Sequence, residues 1–115
     1  MTTESAREYL LKYKALCLKE NRLKYMAEVS PENRKRYNKQ MRKCEKLKRA
    51  LETEIDRVDG AVLSEILASK YICGKSLEET AELIGYCKRQ VERLHVKAIE
   101  IFCKVNRRRL RFAAI

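Results

Sequence analysis

The sequence predicts an all-α protein in which a long N-terminal helical hairpin is followed by a C-terminal helix-turn-helix. The 115 residues include only 3 Gly and 1 Pro, so helix-breaking residues are scarce. Apolar residues recur at steps of three and four along most of the chain, which is the spacing of amphipathic helices. The C-terminal half also contains a short capped segment, a glycine and then a basic segment, in that order.

The first predicted helix runs from about Thr3 to Glu28, and the second from Pro31 to about Val58. Ser30 between them is predicted to be the N-cap of the second helix, with Pro31 as its first residue. The apolar stripes of the two helices consist of Ala6, Tyr9, Tyr13, Leu16, Leu23 and Ala27, and of Tyr37, Met41, Cys44, Leu47, Leu51, Ile55 and Val58. Residues 1–58 therefore form a hairpin for oligomerisation or docking. It packs on the C-terminal half, on a second copy of the chain, or on both.

Residues 59–103 form the second predicted unit. Asp59-Gly60 is a soft break, residues 61–72 form an apolar core helix, and Gly74 ends it. Ser76 then caps a short helix, with Glu79 three residues later as its capping-box partner.

The spacing of Ala81, Gly85 and Val91 predicts the helix-turn-helix. Two helices that pack closely at a steep angle need a small residue in the first helix, which is Ala81. The turn needs a residue that tolerates positive φ, which is Gly85. Val91 then holds the second helix against the first. Ile84 and Tyr86 flank the turn as apolar anchors.

The net charge of +11 favours a polyanionic partner, with nucleic acid first and an anionic membrane surface second. Residues 1–30 carry +2, residues 31–60 carry +4, residues 61–102 are neutral and residues 103–115 carry +5. The most concentrated positive stretch is therefore the tail, residues 104–115. The basic residues of the second helix either extend a nucleic-acid footprint or form a solvated face, and the second is the usual case for such a run.

Within the helix-turn-helix the short helix is acidic and the following helix is basic. The N-terminal residues of the basic helix are the ones expected to enter the DNA major groove, where Arg pairs with guanine and Gln with adenine. Glu92 accepts from cytosine or pairs with Lys88, and the ion pair is favoured. The predicted DNA-binding residues are Lys75, Ser76, Lys88, Arg89, Gln90, Glu92, Arg93, Lys97, Arg107, Arg108 and Arg109.

These motifs resemble region 4 of bacterial sigma factors, and more closely the small phage and prophage regulators of the ArpU type. The resemblance lies in "YxxGKSLEETAELIGY" and in "KRQVERLHVKAIEIF", over about 45 residues. It implies a transcriptional regulator whose recognition helix is residues 87–102, with RNA polymerase as a further partner. Cys87 departs from the pattern, because the family usually has Ser or Thr at this N-cap. No counterpart of sigma region 2 is present, so promoter melting is not expected.

Other features predict absences. No arrangement of residues suits catalysis, a cofactor or a metal site, so we expect a protein that is not an enzyme. The five cysteines lack CxxC spacing and are expected to be small buried residues in a reducing cytoplasm. His95 is expected to contact phosphate or to pack, because no second metal ligand is near it. No apolar run is long enough to span a membrane.

The sequence thus predicts a DNA-binding transcriptional regulator in the bacterial cytoplasm, associated with the nucleoid and dimeric through its N-terminal helices. One alternative is a DNA-packaging subunit like the phage small terminases, which combine a helix-turn-helix with oligomerising helices. Another is an adaptor that binds RNA polymerase and hardly touches DNA.

Overall fold

The computed structural model describes residues 2–107, which contain five α-helices and no strand. The helices are α1 (Thr3–Val29), α2 (Arg34–Asp56), α3 (Ala61–Leu67), α4 (Leu77–Ile84) and α5 (Lys88–Val105). A turn of 3₁₀ helix, Pro31–Asn33, links α1 to α2, and a π-helical turn, Ala68–Ile72, continues α3. The predicted all-α class is confirmed.

The two long helices α1 and α2 pack against each other in opposite directions. The Tyr9 hydroxyl donates to Glu54 Oε1 at 2.9 Å, and Lys48 Nζ donates to Glu20 Oε2 at 3.0 Å. The start of α1 thus lies beside the end of α2, and later residues of α1 lie beside earlier residues of α2. The two helices are therefore antiparallel.

The link between α1 and α2 differs from the prediction. Ser30 occupies the N-cap position and Pro31 the first position of the 3₁₀ turn, as predicted, but the Ser30 side chain forms no capping hydrogen bond. Its backbone N–H instead donates to Met26 O at 2.9 Å and closes the end of α1. Pro31 begins the 3₁₀ turn, and α2 starts only at Arg34. The Ser30 carbonyl accepts from the N–H of Asn33 at 3.0 Å, so the backbone of Ser30, with φ −132° and ψ 74°, joins the end of α1 to the 3₁₀ turn.

The main hydrophobic core joins the two halves of the chain. It takes residues from α1, α2, the end of α3 with its π turn, and α5. Its buried members are Ala6, Leu10, Tyr13, Leu51, Ile55, Val58, Leu67, Tyr71, Ala98, Ile99, Phe102 and Cys103. The C-terminal helices therefore cover the part of the α1–α2 pair that lies near the start of α1.

A second, smaller cluster lies at the opposite end of the α1–α2 pair, which we call the distal arm. Its buried members are Leu23, Ala27, Tyr37 and Cys44. The radius of gyration is 16.1 Å, against about 13 Å for a compact domain of this length. The molecule is elongated because the distal arm extends beyond the main core.

Two leucines differ from the predicted stripes. Leu10 is fully buried although the predicted stripe omits it, and Leu47 is 58% exposed although the predicted stripe includes it. Leu47 lines an open groove between α1 and α2, together with Ala15 and Leu16. Side-chain spacing identified the side of α2 that faces α1. It did not show that the groove lined by Leu47 is left uncovered by the C-terminal helices.

The five cysteines are all free thiols. Cys44 and Cys103 are buried and Cys17 is half-buried, as expected for small apolar residues. Cys73 and Cys87 are exposed, so the expectation of burial is wrong for these two. Both lie in the segments that precede α4 and α5, where the chain runs over the surface.

Candidate nucleic-acid interface

A complete capping box starts α4. The backbone N–H of Glu79 donates to Ser76 Oγ at 3.1 Å, and the backbone N–H of Ser76 donates to Glu79 Oε1 at 3.2 Å. The buried Thr80 adds a hydrogen bond from its hydroxyl to Ser76 O at 2.8 Å. This start is as predicted, and the exposed Ser76 hydroxyl accepts a hydrogen bond from the backbone of its own helix.

Gly85 ends α4 in the left-handed conformation, with φ 75° and ψ 27°. The Ala81 carbonyl accepts from the N–H of Gly85 and, at 3.0 Å, from that of Tyr86. Only two residues, Tyr86 and Cys87, then separate Gly85 from the first residue of α5. The turn is therefore tight, as the spacing predicts.

A compact apolar cluster fixes the orientation of α5 against α3 and α4. Ile66, Ala81 and Val91 are buried in it. The partly buried residues around them are Val62, Leu77, Ile84 and Leu94. Because Val91 points inward, the side chains of Arg89 and Arg93 on either side of it point away from the core, and both are exposed.

The start of α5 has a weak cap. The backbone N–H and the thiol of Cys87 both lie 3.5 Å from Oε1 of Gln90. Sulfur is a poor hydrogen-bond partner compared with a hydroxyl oxygen, so this arrangement satisfies the helix end less well than the box at Ser76. Gln90, predicted to contact bases, reaches back to the helix start in this structure.

The predicted contact residues of α5 are brought together on its solvent face. All six are exposed: Lys88, Arg89, Gln90, Glu92, Arg93 and Lys97. Ser76 is also exposed and Lys75 is half-buried, both at the start of α4. Arg107 is exposed beyond the end of α5, whereas Arg108 and Arg109 lie outside the described residues.

The predicted ion pair of Lys88 with Glu92 is not formed. Between residues of the described part of the chain, ion pairs join Lys48 to Glu20 and Arg49 to Glu45. Both are on the α1–α2 pair, so the cations of α5 are not neutralised by such pairs. Exposed ion pairs at this spacing contribute only about 0.3–0.5 kcal/mol, which makes their formation sensitive to small competing effects.

The starts of α4 and α5 differ in charge. The first turn of α4 carries Glu78 and Glu79, which complement the positive end of the helix dipole. The first turn of α5 carries no acidic residue and begins with Lys88 and Arg89. Two cations at the positive end of a helix oppose its dipole unless an anion is bound there. The start of α5 is therefore suited to an anion, and that of α4 is not.

His95 is buried, which agrees with the packing role, and it lines an open pocket together with Arg7 and Lys70, so contact with phosphate stays a prediction. Its Nε2 lies 2.8 Å from the Tyr71 hydroxyl, and the two rings stack. Burial, with Lys70 and Arg7 nearby, lowers the pKa of His95 from 6.5 to about 4. Burial also raises the pKa of Tyr71. The imidazole is therefore neutral at pH 7, and the tyrosine hydroxyl can donate to it.

A surface cavity of about 520 Å³ lies between α3 and α5, which sequence reasoning did not find. Its lining residues are Val62, Leu63, Tyr86, Gln90, Arg93, Leu94 and Lys97. Tyr86, predicted to be an apolar anchor of the turn, forms part of its wall and remains 38% exposed. The lining residues of α5 could be identified from their helical spacing. The cavity also depends on how α3 packs beside them, which the sequence does not show.

None of the helices within residues 2–107 is long and apolar enough to cross a membrane. The same residues include no group of three His, Cys, Asp or Glu side chains placed to hold a metal ion. Comparison of the chain with protein-family models, with curated proteins and with solved structures finds no match.

Proposed function

We propose that the protein is a sequence-specific, double-stranded DNA-binding regulator of transcription. In this proposal α4, the turn at Gly85 and α5 form a helix-turn-helix like that of sigma region 4. The first turns of α5 enter the major groove. Arg89 and Arg93 read base edges, and the neighbouring lysines hold phosphates.

The observation that carries the proposal is the start of α5. It combines exposed cations that form no ion pair within residues 2–107, a helix dipole that they oppose, and a weak N-cap. Each of these lowers the stability of the free helix, and a phosphate backbone beside them would offset all three. Within the proposed helix-turn-helix, the acidic and fully capped α4 leaves α5 as the positively charged helix.

The exposed basic residues of α2 and the tail arginines would lengthen the footprint on DNA. The α2 residues are Arg34, Lys35, Arg36, Lys39, Arg42, Lys43 and Lys46. Contacts from such residues go to phosphates and add affinity without reading sequence.

The proposal also covers the cellular setting. The likeness of the motifs to ArpU-type regulators supports a phage or prophage protein that acts at the bacterial nucleoid. RNA polymerase is a proposed partner of the same module, and the N-terminal helices are proposed to form a homodimer.

The test is selection of bound duplexes from a random-sequence library, followed by affinity measurements on the selected sequence. Changing both Arg89→Ala and Arg93→Ala should cost about 1–3 kcal/mol of specific binding for each base that is no longer read. The matched control is Arg36→Ala with Arg42→Ala on α2, which removes the same charge from a different exposed surface. We expect the control to weaken specific and random DNA equally, because phosphate contacts do not read sequence.

Two results would contradict the proposal. One is unchanged specific affinity in the folded Arg89 and Arg93 variant. The other is absence of DNA binding by the wild-type protein at low salt, where phosphate contacts are strongest. The second result would favour an adaptor that binds RNA polymerase.

A further inference from the structure

The outer face of α1 carries an aligned set of exposed apolar side chains. Leu11, Leu18 and Tyr25 follow at steps of seven residues and are 53%, 61% and 64% exposed, and Val29 is 57% exposed. A step of seven returns to within about 20° of the same direction on a helix, so these residues form a line. Single exposed leucines are ordinary, but four large apolar residues along one helix face are typical of an interface.

This face also contains a depression of the shape used in helix pairing. It is lined by Ala15, Leu18, Lys19 and Arg22. Residues at this spacing form the four-sided hole that receives a side chain from a facing helix. The hole exists because Ala15 is small, and an apolar knob of leucine size would bury the methyl group of Ala15 and the stems of Lys19 and Arg22.

The charges along this face determine how a second α1 would lie on it. Glu8, Ala15 and Arg22 are also seven residues apart, on a line next to Leu11 and Leu18, and all three are exposed. A parallel pairing would place Glu8 against Glu8 and Arg22 against Arg22. An antiparallel pairing centred on Ala15 places Glu8 opposite Arg22 of the second copy, twice, and brings Leu11 to the hole described above.

We propose that α1 packs antiparallel against α1 of a second copy, with a two-fold axis at Ala15. The contact is isologous: Leu11 of each copy fills the hole beside Ala15 of the other, and Glu8 of each pairs with Arg22 of the other. This specifies the surface and the register of the homodimer named above. It does not depend on DNA binding, so either proposal can fail without the other.

The first test is the mass of the full-length protein in solution, measured by sedimentation equilibrium from low to high micromolar concentration. We expect a transition from the 13.6 kDa monomer to a dimer of twice that mass. Leu18→Glu should remain monomeric throughout. The matched control is Leu83→Glu, which changes a leucine of similar exposure, 58%, on α4 and should leave the dimer intact. Circular dichroism establishes that each variant is folded.

The second test reverses the charges. Glu8→Arg alone, or Arg22→Glu alone, should raise the dimer dissociation constant by about tenfold, because each places like charges together at two sites. The double variant should return it to the wild-type value.

The proposal is overturned by a wild-type protein that stays at 13.6 kDa at high micromolar concentration. It is equally overturned by a closed ring of many subunits, or by a double variant that remains as weak as the single variants.

Discussion

Among single residues, His95 and Tyr71 link the stability of the protein to pH. The two side chains are buried together, with Lys70 on the same π turn as Tyr71 and Arg7 on α1 close by. The pKa of His95 is about 4 in the folded chain and about 6.5 in an unfolded one. Below pH 6.5 the unfolded state therefore binds a proton that the folded state does not.

This difference predicts that stability is fully present above pH 6.5 and is lost as the pH falls towards 4. Between pH 7 and pH 5 the loss due to His95 amounts to about 2 kcal/mol. His95→Gln keeps a polar side chain that does not titrate, so its free energy of unfolding should vary less over this interval. Urea titrations of both proteins at the two pH values measure the effect, and parallel pH profiles would contradict it.

At the same scale, sequence patterns identified most buried side chains but not the edges of the stripes. The burial of Ala6, Tyr13, Leu23 and Leu51 follows from helical spacing alone. The exposure of Leu47 does not, because it depends on where the C-terminal helices end their cover of the α1–α2 pair. The absence of an ion pair between Lys88 and Glu92 could not be predicted from the sequence either, since the spacing permits such a pair without requiring it.

Among the helices, the contrast between the caps of α4 and α5 has a measurable consequence. Cys87 has the extended backbone of an N-cap, φ −78° and ψ 154°, but lacks the hydroxyl that favours this position. Cys87→Ser should therefore stabilise the protein by about 0.5–1 kcal/mol. In a domain of this size that corresponds to a rise in Tm of about 2–6 °C.

The matched change is Ser76→Ala, which removes an N-cap that is already satisfied. It should destabilise the protein by about 1 kcal/mol. Thermal unfolding of the two variants beside the wild type measures both effects. A Cys87→Ser protein that melts below the wild type would show that the thiol is not the weaker cap.

Helix ends could be predicted where a side chain or glycine determines them. Ser76 with Glu79, and Gly85, were identifiable because each satisfies a specific backbone requirement. The π turn at Ala68–Ile72 was not, because nothing in its composition distinguishes it from the helix before it. The lack of a side-chain cap at Ser30 was not predictable either, since Ser30 has the residue type and the position of a cap but its hydroxyl forms no capping hydrogen bond.

For the whole molecule, the main core predicts unequal costs for two leucines one helical turn apart. Leu51 is 2% exposed and contributes to the core that joins both halves, whereas Leu47 is 58% exposed. Leu51→Ala should lower the free energy of unfolding by about 2–5 kcal/mol. Leu47→Ala should change it by no more than about 0.5 kcal/mol. Chemical denaturation at low protein concentration measures both, and similar costs would show that the main core is not where stability lies.

At this scale the sequence predicted the class and the order of the helices, because spacing and caps are local. It left open whether the hairpin packs on the C-terminal half, and the shared core answers that. Contacts between residues 6–13 and residues 98–103 depend on the relative lengths and directions of all five helices. No local pattern encodes them.

The composition of this core affects how the chain folds as it is made. Residues from α1 and α2 can pair as soon as both have left the ribosome. The part of the α1–α2 pair near the start of α1 stays open to water until α5 supplies Ala98, Ile99 and Phe102. At about 5–20 residues per second, the synthesis of the intervening residues leaves that apolar surface exposed for several seconds. Among the helices of residues 2–107, α5 is the last to be made, and its packing ends this exposure.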